Sequence, residues 1–195
     1  NNFQAAVRIT SGNNVTLVDA GAIDLGASTV SGTYAVTATA GGDITDSGVL
    51  AITGTSTFTV AGGQSIILDL DNTFSAAVAF NTSGGVLLDV EINDSTAFEL
   101  PTLTVTRDLT VTAGDDITDG GTVTVGRNLA ATTDANNGVI TLNQLAVIGS
   151  IALNTHNTGA ATVVNATGIE FAASTVGGAL SATATNGHIT QTGAL

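Results

Sequence analysis

The stretch Gly42-Asp43-Ile44-Thr45-Asp46-Ser47-Gly48 decides the fold, because the chain repeats it twice. The second copy is Asp115-Asp116-Ile117-Thr118-Asp119-Gly120-Gly121, and the third is Gly187-His188-Ile189-Thr190-Gln191-Thr192-Gly193. The central isoleucines of successive copies lie 73 and 72 residues apart. A fixed period of this length is typical of repeat proteins, whose units bury their apolar surfaces against one another. The sequence therefore predicts a repeat architecture.

The composition favours short strands and tight turns. The 195 residues include 24 glycines and no cysteine, methionine or tryptophan, and 43% of them are hydrophobic. A helical protein would use more Leu, Glu, Lys, Arg and Gln. This chain instead uses β-branched residues punctuated by Gly, Asn and Asp. Its hydrophobic content supports a core, which argues against disorder.

The charge excludes several classes of partner. Sixteen acidic residues against three basic ones give a net charge of -13. Nucleic acids and anionic membranes both need clustered Lys or Arg, so neither is an expected partner. No apolar run approaches the roughly 18 residues of a membrane span. The acidic surface leaves divalent cations as plausible ligands, and the lack of cysteine fits a protein exported unfolded.

Apolar residues alternate with polar ones in bursts of a few residues, each closed by Gly, Asn, Asp or Ser, which predicts strands rather than helices. Three strands make one coil, and parallel coils stacked about 4.8 Å apart would bury a common interior. We predict an all-β, right-handed parallel β-solenoid of about eight coils, with a three-coil super-repeat. It forms a single segment over residues 1–195, with super-repeats near 1–71, 72–144 and 145–195, the last truncated. Ile44, Ile117 and Ile189 are expected to be buried.

Longer matches between copies support the super-repeat. Residues 22–30 match residues 168–176, at a distance of 146 residues. Within these matches Asp24, Glu99 and Glu170 each stand between two apolar residues, so alternation places their carboxylates on the outer face. We expect them in matching strands every third coil, roughly 14 Å apart. Their predicted role is solubility and the prevention of lateral sheet association.

The chain resembles the shaft repeats of filamentous-haemagglutinin-type proteins. The resemblance rests on the coil length, the acidic turn at 42–48, the lysine-poor composition and a corner motif such as Val105-Thr106-Arg107-Asp108-Leu109. It implies a right-handed parallel β-helix within a very large bacterial surface or secreted protein. It therefore implies an extracellular or cell-surface location.

The acidic turns are the candidate metal site. Asp43 with Asp46, and Asp115 with Asp116 and Asp119, present the oxygen ligands that Ca²⁺ prefers. The third copy places His188 and Gln191 at matching positions, which a hard cation would not favour. We therefore expect these turns to be solvated, with a bound cation as the alternative. No other cofactor is expected.

The residues do not favour two further functions, glycoside hydrolysis and ice binding. Glycosidases need two carboxylates about 5 to 9 Å apart, which the predicted spacing of the outer carboxylates does not provide. His156 and His188 have no evident acidic or nucleophilic partner, so no catalytic residue is predicted and the chain is not expected to be an enzyme. Ice binding needs a regular rank of threonines, and Glu99 interrupts the face that carries Thr102 to Thr106.

The sequence thus predicts a shaft or filament-forming segment of a bacterial extracellular protein. It begins and ends inside the repeat pattern, so the expected partners are flanking coils or a second copy stacked end to end. The alternative is an adhesive module that recognises a glycan or a host surface protein. Its outer face or its corner loops, at 89–96 and 154–160, would then make the contacts.

Overall fold

The computed structural model describes all 195 residues, and every regular element is a β-strand. The strands are parallel and stack as a β-solenoid of about 8 turns, with about 21 residues and three strands per turn. This confirms the predicted fold class. The chain forms two compact units, Asn1–Ser95 and Thr96–Leu195, each of which has its own core.

The first unit contains β1 to β10, arranged in three parallel sheets. One sheet has the order β1-β4-β7-β9, the second β2-β5-β8-β10, and the third joins β3, β6 and the far end of β8. The bounds are Val15–Asp19 (β1), Ile23–Leu25 (β2), Ser28–Val30 (β3), Tyr34–Ala38 (β4), Ile44–Asp46 (β5), Leu50–Ile52 (β6), Ser56–Val60 (β7), Ile66–Phe74 (β8), Val78–Thr82 (β9) and Val90–Asp94 (β10).

The second unit contains β11 to β22. One face has the order β11-β14-β17-β19-β21, a second joins β12, β15 and the far end of β17, and the third is β13-β16-β18-β20-β22. The bounds are Phe98–Leu100 (β11), Leu103–Val105 (β12), Leu109–Ala113 (β13), Ile117–Asp119 (β14), Val123–Val125 (β15), Leu129–Thr133 (β16), Ile140–Val147 (β17), Ser150–Asn154 (β18), Ala161–Asn165 (β19), Ile169–Phe171 (β20), Leu180–Ala184 (β21) and Ile189–Gln191 (β22).

Equivalent apolar residues of successive turns stack in columns inside each unit. In the first unit, Ile23 pairs with Ile44, Ile44 with Ile66, and Ile66 with Val90. All four are at most 1% exposed. Because alternate residues point to opposite faces of a strand, the next residue of each strand points outward, and these residues are Asp24, Thr45, Ile67 and Glu91. Each column buries apolar side chains that a single turn would leave exposed to water.

Aromatic rings fill the interior of the first unit. Tyr34 is completely buried. Its ring meets Phe58 edge-on with centroids 6.1 Å apart, and Phe58 stacks on Phe80 at 6.3 Å. The Tyr34 hydroxyl has no hydrogen-bond partner, and the Ser28 hydroxyl beside it already donates to the Gly26 carbonyl. Burial raises the pKa of Tyr34 to about 12, although Ser28 opposes the rise.

The repeat in the sequence is longer than three turns. In the second unit Ile117 pairs with Ile140, Ile140 with Ala161, and Ala161 with Leu180, so three turns end 63 residues after Ile117. Ile189 lies nine residues further on, in β22 of a different sheet. Within the second unit, the second and third copies of the motif therefore lie on different faces, and their equivalent residues do not stack directly above one another.

Three expectations need correction. The prediction that Ile189 is buried is wrong, because it is 50% exposed in β22, the last strand of its sheet, which no further turn covers. Glu99 and Glu170 do not lie in matching strands, since β11 and β20 belong to different sheets. The segment 89–96 is not a surface loop, because it contains the strand β10, whose Val90 and Ile92 point into the core.

Candidate functional site

The first aspartate of the acidic motif forms a hydrogen bond between one coil of the solenoid and the next. Asp43 Oδ1 accepts a hydrogen bond from the backbone N–H of Ser65 at 2.7 Å. Asp116 Oδ1 accepts one from the N–H of Val139, also at 2.7 Å. Both donors lie one turn later, just before a strand that begins with isoleucine. The two copies of the motif therefore use the same residue to fix where the next turn starts its strand.

The second aspartate binds a bend in the following turn. Asp46 Oδ1 accepts from the N–H of Asp69 at 3.1 Å. Asp119 accepts from the N–H groups of Asn143 at 3.1 Å and Gln144 at 2.7 Å. These N–H groups lie in the middle of β8 and β17, where the strand leaves one sheet and joins another. A carboxylate supplies the acceptor that sheet pairing does not provide at such a bend.

Two buried asparagines, which sequence reasoning missed, hold other corners. Asn72 donates to Asp46 Oδ2 at 2.7 Å and accepts from the Leu50 N–H at 2.7 Å. Asn165 accepts from the N–H of Val147 at 2.8 Å and donates back to its carbonyl oxygen at 2.9 Å. Both side chains are fully buried. The only signal in the sequence is a polar residue at an inward position of the strand pattern, where an apolar residue is expected.

These contacts bear on the predicted calcium ligands. Asp43, Asp46, Asp116 and Asp119 direct carboxylate oxygens at N–H groups of the next turn. Asp115 lies in the turn before β14. No three His, Asp or Glu side chains are grouped in a way that would hold a metal ion. The acidic turns thus have a structural use that needs no cation, and calcium binding stays a prediction.

Three carboxylates of the first unit lie close enough to influence one another. Burial raises the pKa of Asp46 above its usual value, and the Asp69 carboxylate adds to the rise while Asn72 opposes it. Burial also raises the pKa of Glu91, again with a contribution from Asp69. Asp69 therefore disfavours the charged forms of both neighbours. This repulsion is a cost of the acidic surface.

A groove of about 560 Å³ opens on the outer face of the first unit. Its apolar wall includes the partly exposed ring of Phe3, and its polar groups include Asp24, Thr45 and Gln64. Asp24 Oδ2 accepts a hydrogen bond from the Ser47 hydroxyl at 2.8 Å. The other oxygen, Asp24 Oδ1, is buried and has no partner.

A second groove, of about 260 Å³, lies on the outer face of the second unit. Its apolar wall is Ile148, whose side chain is 74% exposed. Glu170, Thr190 and His188 supply its polar groups. The Thr192 hydroxyl of the neighbouring turn lies 3.4 Å from Glu170 Oε1 and equally far from the Phe171 carbonyl oxygen.

The two grooves are built from equivalent residues of the repeat. Glu170 follows Asp24 by 146 residues, Thr190 follows Thr45 by 145, and the hydroxyl donors Ser47 and Thr192 are also 145 apart. The sequence match between 22–30 and 168–176 contains this signal. The match defines the repeat but does not reveal a groove, because a groove depends on how adjacent turns pack.

The remaining candidate residues are dispersed. Arg127 forms an exposed ion pair with Asp108 at 2.8 Å, within the corner motif. His188 lines the second groove, whereas His156 lies in the turn between β18 and β19 and donates its backbone N–H to Thr133 Oγ1. No helix exists that could cross a membrane.

Comparison with known proteins identifies one family. No curated protein and no solved structure matches the chain. The profile of a family described as repeats of unknown function (DUF5649) matches three times, over residues 12–81, 88–156 and 158–195. These matches include each copy of the acidic turn and most of the chain. The chain therefore belongs to this family of repeats of unknown function, DUF5649.

Proposed function

We propose that this chain is a structural, shaft-forming segment of a bacterial extracellular or cell-surface protein. The observation that supports this most is that each turn is stabilised by its contacts with the next turn. Inward residues such as Ile117 and Ile140 are completely buried between turns, and Asp119 bonds backbone groups of the following turn. A structure held together in this way can be lengthened by adding turns without any new kind of contact.

The last turn supports an end-to-end partner. Leu180 of β21 and Ile189 of β22 occupy inward positions but are 37% and 50% exposed. Their partners one turn earlier, Ala161 and Ile169, are both 1% exposed. A further parallel turn would cover these side chains and pair the free edges of both strands. We propose that this turn is supplied by flanking coils of the same kind or by a second copy.

The proposed role is non-enzymatic and needs no cofactor. The first groove is lined by Asp24, Asp43 and Thr45, and the second by Glu170, Thr167 and Thr190. The second groove has one carboxylate, fewer than the two that glycoside hydrolysis requires, and Asp43 in the first already accepts the backbone N–H of Ser65. A location outside the cell is proposed from the resemblance to surface shafts. Protease treatment of intact cells that express the natural protein would test it, because an external segment is cleaved without lysis.

Light scattering at micromolar concentration tests the end-to-end contact, and electron microscopy tests its geometry. We expect particles that lengthen at constant width as the concentration rises. Ile189→Lys should prevent this, because it places a charge at the uncovered end of the interior. Ile148→Lys is the matched control, because Ile148 is more exposed but lies on the outer face. A wild-type protein that stays monomeric, or an equal effect of both variants, would contradict the proposal.

A further inference from the structure

We propose that the two equivalent grooves are binding subsites for a neutral, hydroxyl-rich saccharide. The first subsite is defined by Phe3, Asp24 and Thr45, and the second by Ile148, Glu170 and Thr190. This inference is separate from the structural role, since a shaft can exist whether or not its outer face binds a ligand.

The chemistry of each groove is amphipathic in a way that suits a sugar ring. One wall is apolar, formed by Phe3 in the first groove and Ile148 in the second. The polar groups, a carboxylate and a threonine hydroxyl, are hydrogen-bonding partners for hydroxyl groups. A pyranose has an apolar face of C–H groups and a rim of hydroxyls. Its C–H face would pack against the apolar wall, and its hydroxyls would hydrogen-bond to the carboxylate. Sites for small ligands typically combine apolar walls with a few placed polar groups.

The Asp24 carboxylate is positioned before any ligand arrives, because the Ser47 hydroxyl donates to its Oδ2 at 2.8 Å. A side chain that is already oriented loses less entropy on binding. In the second groove the Thr192 hydroxyl stands at the matching place in the repeat, 3.4 Å from both Glu170 Oε1 and the Phe171 carbonyl oxygen.

Asp24 has a further feature that indicates a missing donor. Its Oδ1 is buried and makes no hydrogen bond within the chain. An acceptor in that state costs free energy. The terminal torsion of an aspartate has a broad distribution, so the carboxylate can rotate to bring this oxygen toward the groove, and the ligand then replaces Ser47 as a hydrogen-bond partner. A ligand hydroxyl would then supply the donor.

The charge of the protein limits which saccharides fit. The net charge is -13, and each groove contributes a carboxylate where the ligand would lie. Acidic and sulfated glycans would therefore be repelled. A basic peptide would be attracted by charge alone and must be distinguished in the test.

The experiment begins with an array of immobilised neutral oligosaccharides of hexose, pentose and N-acetylhexosamine units. The best ligand from the array is then titrated into ¹⁵N-labelled protein, and the amide resonances of Thr45 and Thr190 are followed. Both should shift. Hexalysine and a heparin hexasaccharide serve as the cationic and anionic probes, and neither should shift these two amides together. No binding on the array, or stronger shifts with either charged probe, would overturn the proposal.

Each groove serves as a control for the other. Asp24→Asn should weaken binding about tenfold at Thr45 and leave the response of Thr190 unchanged, and Glu170→Gln should do the reverse. Thr45→Val and Thr190→Val provide second variants that keep the carboxylates. Asp71→Asn removes an exposed carboxylate that lines neither groove and should change nothing. Circular dichroism establishes that each variant is folded. An equal effect of Asp24→Asn and Asp71→Asn would overturn the proposal, since charge alone would then explain binding.

Discussion

Ile117 and Ile189 are the same residue of the same motif, yet one is completely buried and the other is 50% exposed. Both begin a short strand in the second unit, and both precede a threonine. The difference lies in the strand stacked on each of them. Ile117 is covered by β17, whereas β22 ends its sheet and leaves Ile189 uncovered. In this fold the next turn, rather than the local sequence, decides whether an inward side chain is buried.

The largest expected effect comes from truncating the buried member of this pair. Ile117→Ala should lower the free energy of unfolding by about 2 to 5 kcal/mol, because it leaves a cavity between turns that the stacked strands cannot close. Unfolding in urea, followed by circular dichroism, measures the change. A loss of less than about 1 kcal/mol would mean that Ile117 does not point inward.

The matched substitution Ile189→Ala removes the same atoms from an uncovered turn. We expect it to cost less than about 1 kcal/mol, since half of the side chain already contacts water. The comparison should be made at low protein concentration, where end-to-end association is minimal. Equal losses for the two variants would show that Ile189 is covered in solution.

A second comparison concerns the residue two positions later, Asp119 in one copy and Gln191 in the other. Asp119 accepts N–H groups of Asn143 and Gln144, and its replacement by alanine leaves both without an acceptor from the chain. Because water can reach this exposed site, we expect Asp119→Ala to cost about 1 kcal/mol. Gln191→Ala should cost almost nothing. Urea unfolding distinguishes the two, and a larger loss for Gln191→Ala would contradict the role assigned to Asp119.

The parts of the fold that depend on alternation could be predicted from the sequence. Bursts such as Leu109-Thr110-Val111 and the column from Ile23 to Ile66 were found because an inward apolar residue recurs at every second position. The position of β10 could not be predicted in the same way. Val86 to Leu88 is more apolar than Val90 to Asp94, yet the latter forms the strand because its register continues that of β8. The number of residues between successive strands of the sheet determines which segment pairs with β8, and this number varies along the chain.

The candidate sites were harder to predict, for two physical reasons. The acidic turn was identified by its repetition, but the partners of Asp43 and Asp46 lie 22 and 23 residues away, one turn later. A local pattern of carboxylates is the same whether it binds a cation or backbone N–H groups. The grooves need two adjacent turns to form their walls, so the match between Asp24 and Glu170 indicated equivalence without indicating shape.

The pH dependence should reveal the burial of Asp46 and Glu91 and the additional repulsion that Asp69 exerts on both. The pKa values of Asp46 and Glu91 are raised in the folded protein. The folded state therefore keeps these protons at pH values where the unfolded chain has lost them. The resulting stabilisation is fully present below the unfolded pKa values and is lost as the pH rises through the folded ones. We expect the melting temperature to increase as the pH is lowered from 7 toward about 5.

Asp69→Asn isolates this effect, because it removes the charge that acts on both neighbours. The variant should be slightly more stable than the natural sequence at pH 7, and its melting temperature should depend less on pH. Asp71→Asn, which neutralises an exposed carboxylate of the same strand, controls for the general reduction in net charge. If the two variants change the pH dependence equally, the repulsion is spread over the surface and is not centred on Asp69.

The smallest expected effect is that of calcium, and it also rests on the comparison between copies of the motif. Asp116 and Asp119 of the second copy bind backbone N–H groups, while the third copy has His188 and Gln191 at the matching positions. If these carboxylates serve only the next turn, removing Ca²⁺ with a chelator should change the melting temperature by less than about 2 °C. A decrease of about 10 °C or more would show that a bound cation stabilises the fold. Repeating the measurement with Asp115→Asn then locates it, because Asp115 is the one predicted ligand of the second copy whose substitution leaves the contacts of Asp116 and Asp119 in place. A calcium effect that this variant abolishes would assign the cation to the second copy of the turn.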